Sequence, residues 1–449
     1  MPDATAAYVA RRDALVASVR AQGNGSPLGL AKNTSNLFRD RSEGSKQRLD
    51  LHHFSHVIEV DAKNGWVDVE GLCTYEDLVA GTLPHGVMPA VVPQLKTITI
   101  GGAAAGVGIE ATSFRQGLVH DTLVEMDVLL PHGEIVTCAP DNARSDLFFG
   151  FPNSYGTLGY ALRLRARVLP IKPYVKVEHT RLRDPAAFFD RLAQACTSAA
   201  DFVDGVVFNA NEFVLNTGTF VDTAPWQSDY TFERIYYKSL LDKEVDYLTA
   251  LDYIWRWDTD WFWCSKNLFA QNPVVRRLLG RERLNSRTYT RVMRFNSKWG
   301  FTRGLSRLRG RYPESVIQDV DIPIGRAPEF LAFFLREIGV LPVWVCPIGP
   351  ARHENRFPLY PLASDGLYVN FGFWDVVESS TAHAPGHYNR LIENKVLELG
   401  GIKSLYSDCY FDRETFARAY AIDRYHALKQ KYDPQQRTLD LYDKCVLRA

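Results

Sequence analysis

The stretch Thr97-Ile98-Thr99-Ile100-Gly101-Gly102-Ala103-Ala104-Ala105-Gly106-Val107-Gly108-Ile109-Glu110 decides how the rest of this 449-residue chain is read. β-Branched residues lead the backbone into a run, Gly101 to Gly106, whose side chains are no larger than methyl. Main-chain N–H groups there can approach a pyrophosphate or a flavin ring closely. Thr112, Ser113 and Gly117 follow, and the natural reading is a close-approach cradle. Two readings compete with it. Gly106-Val107-Gly108-Ile109-Glu110-Ala111 fits the dinucleotide fingerprint G-x-G-x-x-A, with Glu125 near the place of a ribose-binding acid. A Rossmann strand, however, must end at its first glycine and feed an unbroken helix, whereas Gly101-Gly102 intervene and Ser113 and Gly117 interrupt. The other competitor is a structural glycine turn that holds no ligand.

The flanks read as short strands and turns. Val57 to Val60 and Trp66 to Val69 flank Lys63-Asn64-Gly65, whose Asn-Gly pair supplies the positive φ of a tight hairpin. Thr74 offers a capping hydroxyl and Asp77 a carboxylate three residues on, starting a helix through Leu78 and Val79. Leu123 to Leu130 and Glu134 to Thr137 form a second hairpin around Pro131-His132-Gly133. From Ala161 to Val168 apolar residues alternate with Arg163, Arg165 and Arg167, a strand with one wet face. Gly156-Thr157-Leu158-Gly159 precedes it, as a second piece of cradle or as relief of crowding. Pro170 and Pro173 end this unit.

Composition sets the class. Hydrophobic residues make up 46% of the chain, aromatics 12%, and 52 basic residues balance 52 acidic ones, which excludes a disordered or collagen-like protein and suggests two or three domains. Seven scattered cysteines without a C-x-x-C pair argue against a disulfide framework or zinc site and for a reducing compartment. The first 25 residues read as an amphipathic helix rather than a leader or anchor, and no stretch is apolar enough to span a bilayer. The expected location is the cytoplasm.

Charge is nevertheless segregated. Arg276 to Arg311 holds twelve basic residues against Glu282 alone, with Leu278, Leu279, Val292, Phe295 and Trp299 interleaved. The segment reads as a solvated face or as a peripheral contact with anionic lipid at the inner face of a membrane, and no nucleic-acid fold accompanies it. Tyr253, Trp255, Trp257, Trp261, Phe262 and Trp263 crowd the preceding stretch, as core or as a pocket for an apolar substrate. His52, His53 and His56 lack a completing carboxylate or thiol, strand alternation would part the first two, and no metal is expected. Tyr406, Asp408 and Tyr410 would share one face of an extended segment, where a phenol beside a carboxylate can deliver a proton to carbon. Glu110 is the titratable residue within the cradle, as an acid or as a structural acceptor of backbone N–H groups.

A resemblance then becomes specific. The succession Trp66-x-Val-x-x-Gly71, Pro89 with Pro93, Thr99-Ile100-Gly101-Gly102, Gly106, Gly117, Asp121, Gly133, Gly156-Thr157-Leu158-Gly159 and Pro170 resembles the FAD-binding domain of the vanillyl-alcohol oxidase (PCMH-type) superfamily. Ser145-Asp146-Leu147-Phe148, Lys172-Pro173-Tyr174, Gln271-Asn272-Pro273, Trp344-Val345-Cys346-Pro347 and Leu405-Tyr406-Ser407-Asp408-Cys409-Tyr410 narrow it to the Δ24-sterol reductase family, the dwarf-1 or Diminuto proteins of plants. The likeness runs from about residue 25 to residue 445.

That resemblance implies an α+β fold. Residues 1–175 would form an FAD-binding domain of two α+β lobes, 176–400 an α+β substrate cap, and 401–449 a segment completing the active site. FAD would be bound by Thr99, Ile100, Gly101, Gly102, Gly106, Gly108, Ser113, Gly117, Asp121, Gly156, Thr157 and Gly159. It would be non-covalent, since Asn33 to Lys46 holds no His and Gly101 to Gly117 no Cys. Tyr406, Asp408 and Glu110 are the candidate catalytic residues. The implied activity is reduction of a carbon–carbon double bond in a lipid, a sterol side chain or a methylene-branched fatty acyl chain, with NADPH or NADH as donor. An FAD-dependent alcohol oxidase or dehydrogenase and a lipid-binding flavoprotein without catalysis are the alternatives.

Overall fold

The computed structural model describes residues 4–21, 28–31, 47–299, 310–349, 357–363 and 366–448. Its first sheet grows from the Asn64-Gly65 turn. Gly65 takes φ 74° and joins β3 (Val57–Asp61) to β4 (Trp66–Glu70), with Val60 opposite Val67. The sheet runs β3-β4-β8-β6-β7, where β6 is Leu123–Leu129, β7 Ile135–Cys138 and β8 Tyr160–Pro170. The short β5 (Val87–Pro89) pairs with the far end of β8. A parallel pair, β1 (Leu28–Leu30) and β2 (Gln47–Leu49), stands beside it. As the capping chemistry indicated, the helix Tyr75–Thr82 starts with Thr74 Oγ1 accepting the Asp77 N–H.

Two local expectations change. Of the arginines of β8 only Arg167 is exposed: Arg163 pairs with Asp68, Asp127 and Glu125, the half-buried Arg165 pairs with Asp68, and Tyr8 of the helix Ala4–Ala21 donates to Asp127. The N-terminal helix thus covers part of a face whose alternation alone looked solvated. Gly101 to Ala105 belong to a short helix, Ile100–Ala105, capped by Thr99 Oγ1, which accepts from the Gly102 N–H. His52 and His53 lie in a turn with ring centroids 3.6 Å apart, so strand alternation does not part them.

The second sheet has eight antiparallel strands in the order β12-β9-β11-β10-β14-β15-β13-β16. They are β9 (Tyr174–Leu182), β10 (Phe202–Asn209), β11 (Glu212–Val221), β12 (Val245–Thr249), β13 (Tyr312–Pro323), β14 (Val343–Ile348), β15 (Tyr368–Ser379) and β16 (Ile402–Lys403). Alternation sends their side chains to two faces. Val203, Val345, Phe371 and Val320 meet Phe188, Phe330 and Ile392 of the helices Pro185–Cys196, Ala327–Glu337 and His387–Glu398 on the outer face. Val177, Val206, Val214, Trp344 and Cys346 point inward and join one continuous core with Val67, Leu164 and Ala104 of the first unit. After β16 the chain returns to that unit. Tyr432 donates to Asp146, Arg437 to the Pro131 carbonyl, and the Leu28 N–H to the Arg437 carbonyl.

Candidate active site between the glycine loops and the cap sheet

The two glycine elements, some fifty residues apart in sequence, meet in space. The Asn153 N–H donates to the Gly106 carbonyl at 3.2 Å and the Tyr155 N–H to the Ala105 carbonyl at 2.8 Å. The second loop is in turn held by the C-terminal segment: Lys429 and Thr438 donate to the Thr157 carbonyl and Lys444 to that of Tyr155. Several of the glycines serve this packing. A Cβ on Gly101 would lie 2.6 Å from the Gly71 carbonyl oxygen, on Gly108 2.7 Å from Val119, and on Gly159 2.6 Å from the Leu129 carbonyl. Gly117, at φ 73°, abuts Asp121, whose Oδ2 accepts the Leu118 N–H. Gly156 takes φ 75°, Thr157 donates to the Ser154 carbonyl, and Ser113 Oγ accepts from the Glu110 N–H. Ile100 is buried.

Gly102 is the exposed position of the run, with Gly101, Ala105, Val107 and Ile109 half-exposed around it. Bare main chain therefore reaches the surface at the first turn of the helix Thr99 caps. Thr97 Oγ1, Asn153 Oδ1 and Ser154 Oγ, on the two meeting segments, are buried with no hydrogen-bond partner among the described residues. Unmet polar atoms beside an exposed glycine backbone suit the pyrophosphate and polar ring edge of a flavin dinucleotide, so these residues fit the group. The segment Asn33 to Lys46, on which the non-covalent expectation partly rests, lies outside the described residues.

Across from the loops, the inner face of the cap sheet presents two carboxyl groups, Asp319 and Asp321, two residues apart on β13. Asp321 accepts from Tyr360 Oη at 2.6 Å and, across the strands, from Asn370 Nδ2 at 2.7 Å. Asp319 is hydrogen-bonded to Tyr406, whose oxygen also accepts from Trp374 Nε1 at 3.1 Å. Burial pushes Asp319 up to about 7, with the Asp321 charge adding and the Tyr406 bond opposing, and Asp321 up to about 6. Burial likewise raises the Tyr406 phenol well above its ordinary value. Asp319, Tyr406, Trp374 and Tyr155 nevertheless keep some accessible surface. Gly372 leaves the space for this: a Cβ there would stand 2.8 Å from Asp319 Oδ1 and 2.5 Å from the Trp374 ring.

Of the three sequence-derived candidates, Tyr406 alone joins this group. Leu405 to Ser407 form a turn rather than a strand, so the extended face anticipated for Tyr406, Asp408 and Tyr410 is not made. Asp408 Oδ1 lies 3.3 Å from Arg448, which also donates to Tyr410 Oη. Glu110 is buried in a network joining the two units. It accepts from Gln94 and, at 2.7 Å, from Arg256, which donates equally to Asp204 of β10. Asn216 donates to Asp204 at 2.8 Å and bonds His179. Burial raises the Glu110 carboxyl while Arg256 opposes, and the geometry is that of an internal tie. Asp319 and Asp321 were missed because Gln318-Asp319-Val320-Asp321-Ile322 reads as an ordinary half-wet strand until both of its faces are seen covered.

The aromatic stretch packs against Trp374 of the same group. Trp257 stacks on Phe262 at 5.0 Å, and Phe262 contacts Trp374 at 4.6 Å. Trp261, Phe262 and Trp263 are consecutively left-handed, with φ of 46°, 49° and 58°, a conformation costing roughly 1–2 kcal/mol per residue. Beyond them Phe269, Val274 and Leu278 are 79%, 64% and 77% exposed. Arg276 departs from the basic surface: it is buried and donates to the Phe232 and Ala270 carbonyls. Arg277 pairs with Glu233, Arg281 with Asp229 and Arg287 with Glu76, all at the surface. Arg303, Arg307 and Arg309, and the side chains of Arg294 and Lys298, lie outside the described residues.

Comparison with known proteins agrees with this arrangement. Residues 4–139 match the FAD binding domain family. Over 410 residues the chain is 30% identical to the Delta(24)-sterol reductase of Homo sapiens, covering 88% of this chain and 76% of that one. The Delta(24)-sterol reductase of Arabidopsis thaliana is 24% identical over 431 residues, 86% and 74% of the two chains. Cytokinin dehydrogenase 10 of Oryza sativa subsp. japonica shares 29% over 217 residues, 43% of this chain and 39% of its own. An α+β PCMH-type FAD-binding domain bearing a cap, with bare backbone where the dinucleotide fits, and this likeness across most of both chains lead to one conclusion: the chain belongs to the Δ24-sterol reductase family of FAD-dependent oxidoreductases.

Proposed function

We propose that the protein reduces a carbon–carbon double bond in a lipid, taking electrons from NADPH or NADH. The observation that carries this reading is Tyr406, a phenol held by Asp319 and Trp374 on the inner face of the cap sheet and close to Tyr155 of the second glycine loop. Bound FAD supplies hydride chemistry and no acid, so adding hydrogen across an alkene needs a separate proton donor. Tyr406 Oη supplies that proton. Burial keeps the phenol protonated across the physiological range, and the aromatic rings of Trp374 and Phe262 beside it suit an apolar chain. Thr99, Gly101, Gly102, Gly106, Asn153 and Ser154 would hold the dinucleotide, with Ile100, Gly108, Ser113, Gly117, Asp121, Gly156, Thr157 and Gly159 shaping the loops that carry them.

The substrate class follows the family: a sterol side chain or a methylene-branched fatty acyl chain. Among the described residues no helix is long and apolar enough to cross a membrane. The exposed Phe269, Val274 and Leu278, edged by Arg277, Arg281, Arg283, Arg287 and Arg291, support peripheral contact with an anionic bilayer, through which a lipid substrate is reached. The test is spectroscopic. Anaerobic NADPH or NADH is expected to bleach the flavin, and a lipid extract or unsaturated sterol to restore its colour. Bleaching by an alcohol but not by a reduced nicotinamide, with peroxide formed in air, would establish the oxidase reading instead. Vesicle binding without flavin turnover would establish the lipid-binding one.

A further inference from the structure

We infer that Lys444 and Lys429 are positioning residues for the coenzyme: from the rear of the second glycine loop they aim the Gly156 and Leu158 N–H groups at the pyrophosphate of bound FAD. The inference rests on FAD binding alone and not on the proposed alkene reduction. It starts from two donors. Gly156 and Leu158 are buried, and neither backbone N–H has a hydrogen-bond partner among the described residues. The N–H groups beside them are satisfied, that of Tyr155 by the Ala105 carbonyl at 2.8 Å and that of Thr157 by the Ser154 carbonyl at 3.1 Å. Buried main-chain donors almost always find an acceptor, so two unmet ones on alternate residues call for one that the chain itself does not hold.

The opposite edge of each of these two peptide planes meets a cation. A trans peptide points its C=O and its N–H in opposite directions. The carbonyl that shares a plane with the Gly156 N–H is that of Tyr155, and it accepts from Lys444 Nζ. The carbonyl that shares a plane with the Leu158 N–H is that of Thr157, and it accepts from Lys429 Nζ at 2.8 Å and from Thr438 Oγ1 at 2.5 Å. Each ammonium therefore fixes one plane and turns its N–H away from the C-terminal segment. Donation from a cation also polarises the amide and makes its N–H a stronger donor. Lys429 is itself locked in place, with Asp433 Oδ2 and the Thr438 carbonyl as further acceptors, each at 2.8 Å. Tyr155 and Gly156 take φ of 51° and 75° in the turn between the two planes, where neighbouring N–H groups can form a concavity for an anion. Asn153 Oδ1 and Ser154 Oγ, buried and unmet on the same loop, add polar atoms for the rest of the dinucleotide. Oxidised FAD carries its negative charge on the pyrophosphate, its ring being neutral, so the pyrophosphate is the acceptor that suits two reinforced donors.

Hydrogen exchange, resolved to single amides by mass spectrometry, reads the two donors without any turnover. In full-length protein freed of flavin, FAD is expected to slow exchange at Gly156 and Leu158. ADP, which carries the same pyrophosphate, should do so as well, and riboflavin, which has none, should not. In the holoenzyme, Lys444→Met should speed exchange at Gly156 and weaken FAD binding by about tenfold, the loss of one well-made hydrogen bond. The melting temperature of the flavin-free protein should stay that of the parent, and Lys444→Arg, which keeps a donor, should restore both properties. Lys429→Met strands Asp433, so it is combined with Asp433→Asn and should act in the same way at Leu158. Protection by riboflavin but not by ADP would give the two donors to the ring. Equal exchange with and without FAD would leave them to water, and parent-like FAD binding by Lys444→Met would reduce the lysine to a structural strut. Each of these three results overturns the inference. No reduction step is measured, so a failure of the proposed alkene reduction is told apart from a failure here.

Discussion

At the scale of single residues, the inner face of the cap sheet separates groups that look equivalent in sequence. Asp408 lies nearer to Tyr406 along the chain than Asp319 does, yet the turn at Leu405 to Ser407 sends it to Arg448. Tyr406→Phe is expected to leave NADPH bleaching intact and slow lipid-dependent reoxidation by about 10²–10⁴, the usual contribution of a positioned acid. Stopped-flow measurement of the two half-reactions reads this directly. Trp374→Phe keeps a ring against Phe262 but removes the N–H to Tyr406. A smaller loss in the second half-reaction alone is expected, with the melting temperature little changed. The tyrosine was legible because a family motif contains it. Its partners were not, since an aspartate 87 positions upstream becomes a neighbour only through sheet register.

At the scale of elements, local chemistry was largely readable and burial was not. The Asn64-Gly65 hairpin, the Thr74 cap and the long β8 all form where their turn and capping residues place them. Arg163 of β8 was misjudged as solvated because what covers a face comes from elsewhere in the chain: Tyr8 shares its partner Asp127. At the glycine run it is Gly71 that makes the close approach. Gly101→Ala would put a methyl group against the Gly71 carbonyl and should cost roughly 1–3 kcal/mol. Flavin retention on gel filtration, with thermal melting, checks it, and parent-like values for both would show that the close approach is dispensable. The basic element carries its own expectation. Replacing Arg277, Arg281 and Arg283 together with Gln should weaken binding to phosphatidylglycerol vesicles by about 1 kcal/mol per residue, and high salt should abolish the difference.

At the scale of the whole molecule, Arg256 ties the first unit to the cap by serving Glu110 and Asp204 at once. Arg256→Met strands two buried carboxylates and should destabilise the protein by about 3–5 kcal/mol, seen as a lower denaturant midpoint. Acid should relieve part of that loss by protonating the stranded pair. Stability should also depend on pH in the parent. Asp319, Asp260 and Asp321 are raised by burial to about 7, 7 and 6, above their unfolded values near 4. The folded state therefore holds more protons than the unfolded one between about pH 4 and 7, and stability falls as pH rises through that window. Melting curves across it should show the slope, reduced in Asp319→Asn.

The grip of the C-terminal helices on the second glycine loop bears on biosynthesis. Lys429 reaches Thr157 across 272 positions and Lys444 reaches Tyr155 across 289. A nascent chain in which residues 429–444 still occupy the ribosomal tunnel lacks these fastenings. The loop proposed to border the coenzyme is therefore secured late in synthesis, only once that segment has emerged.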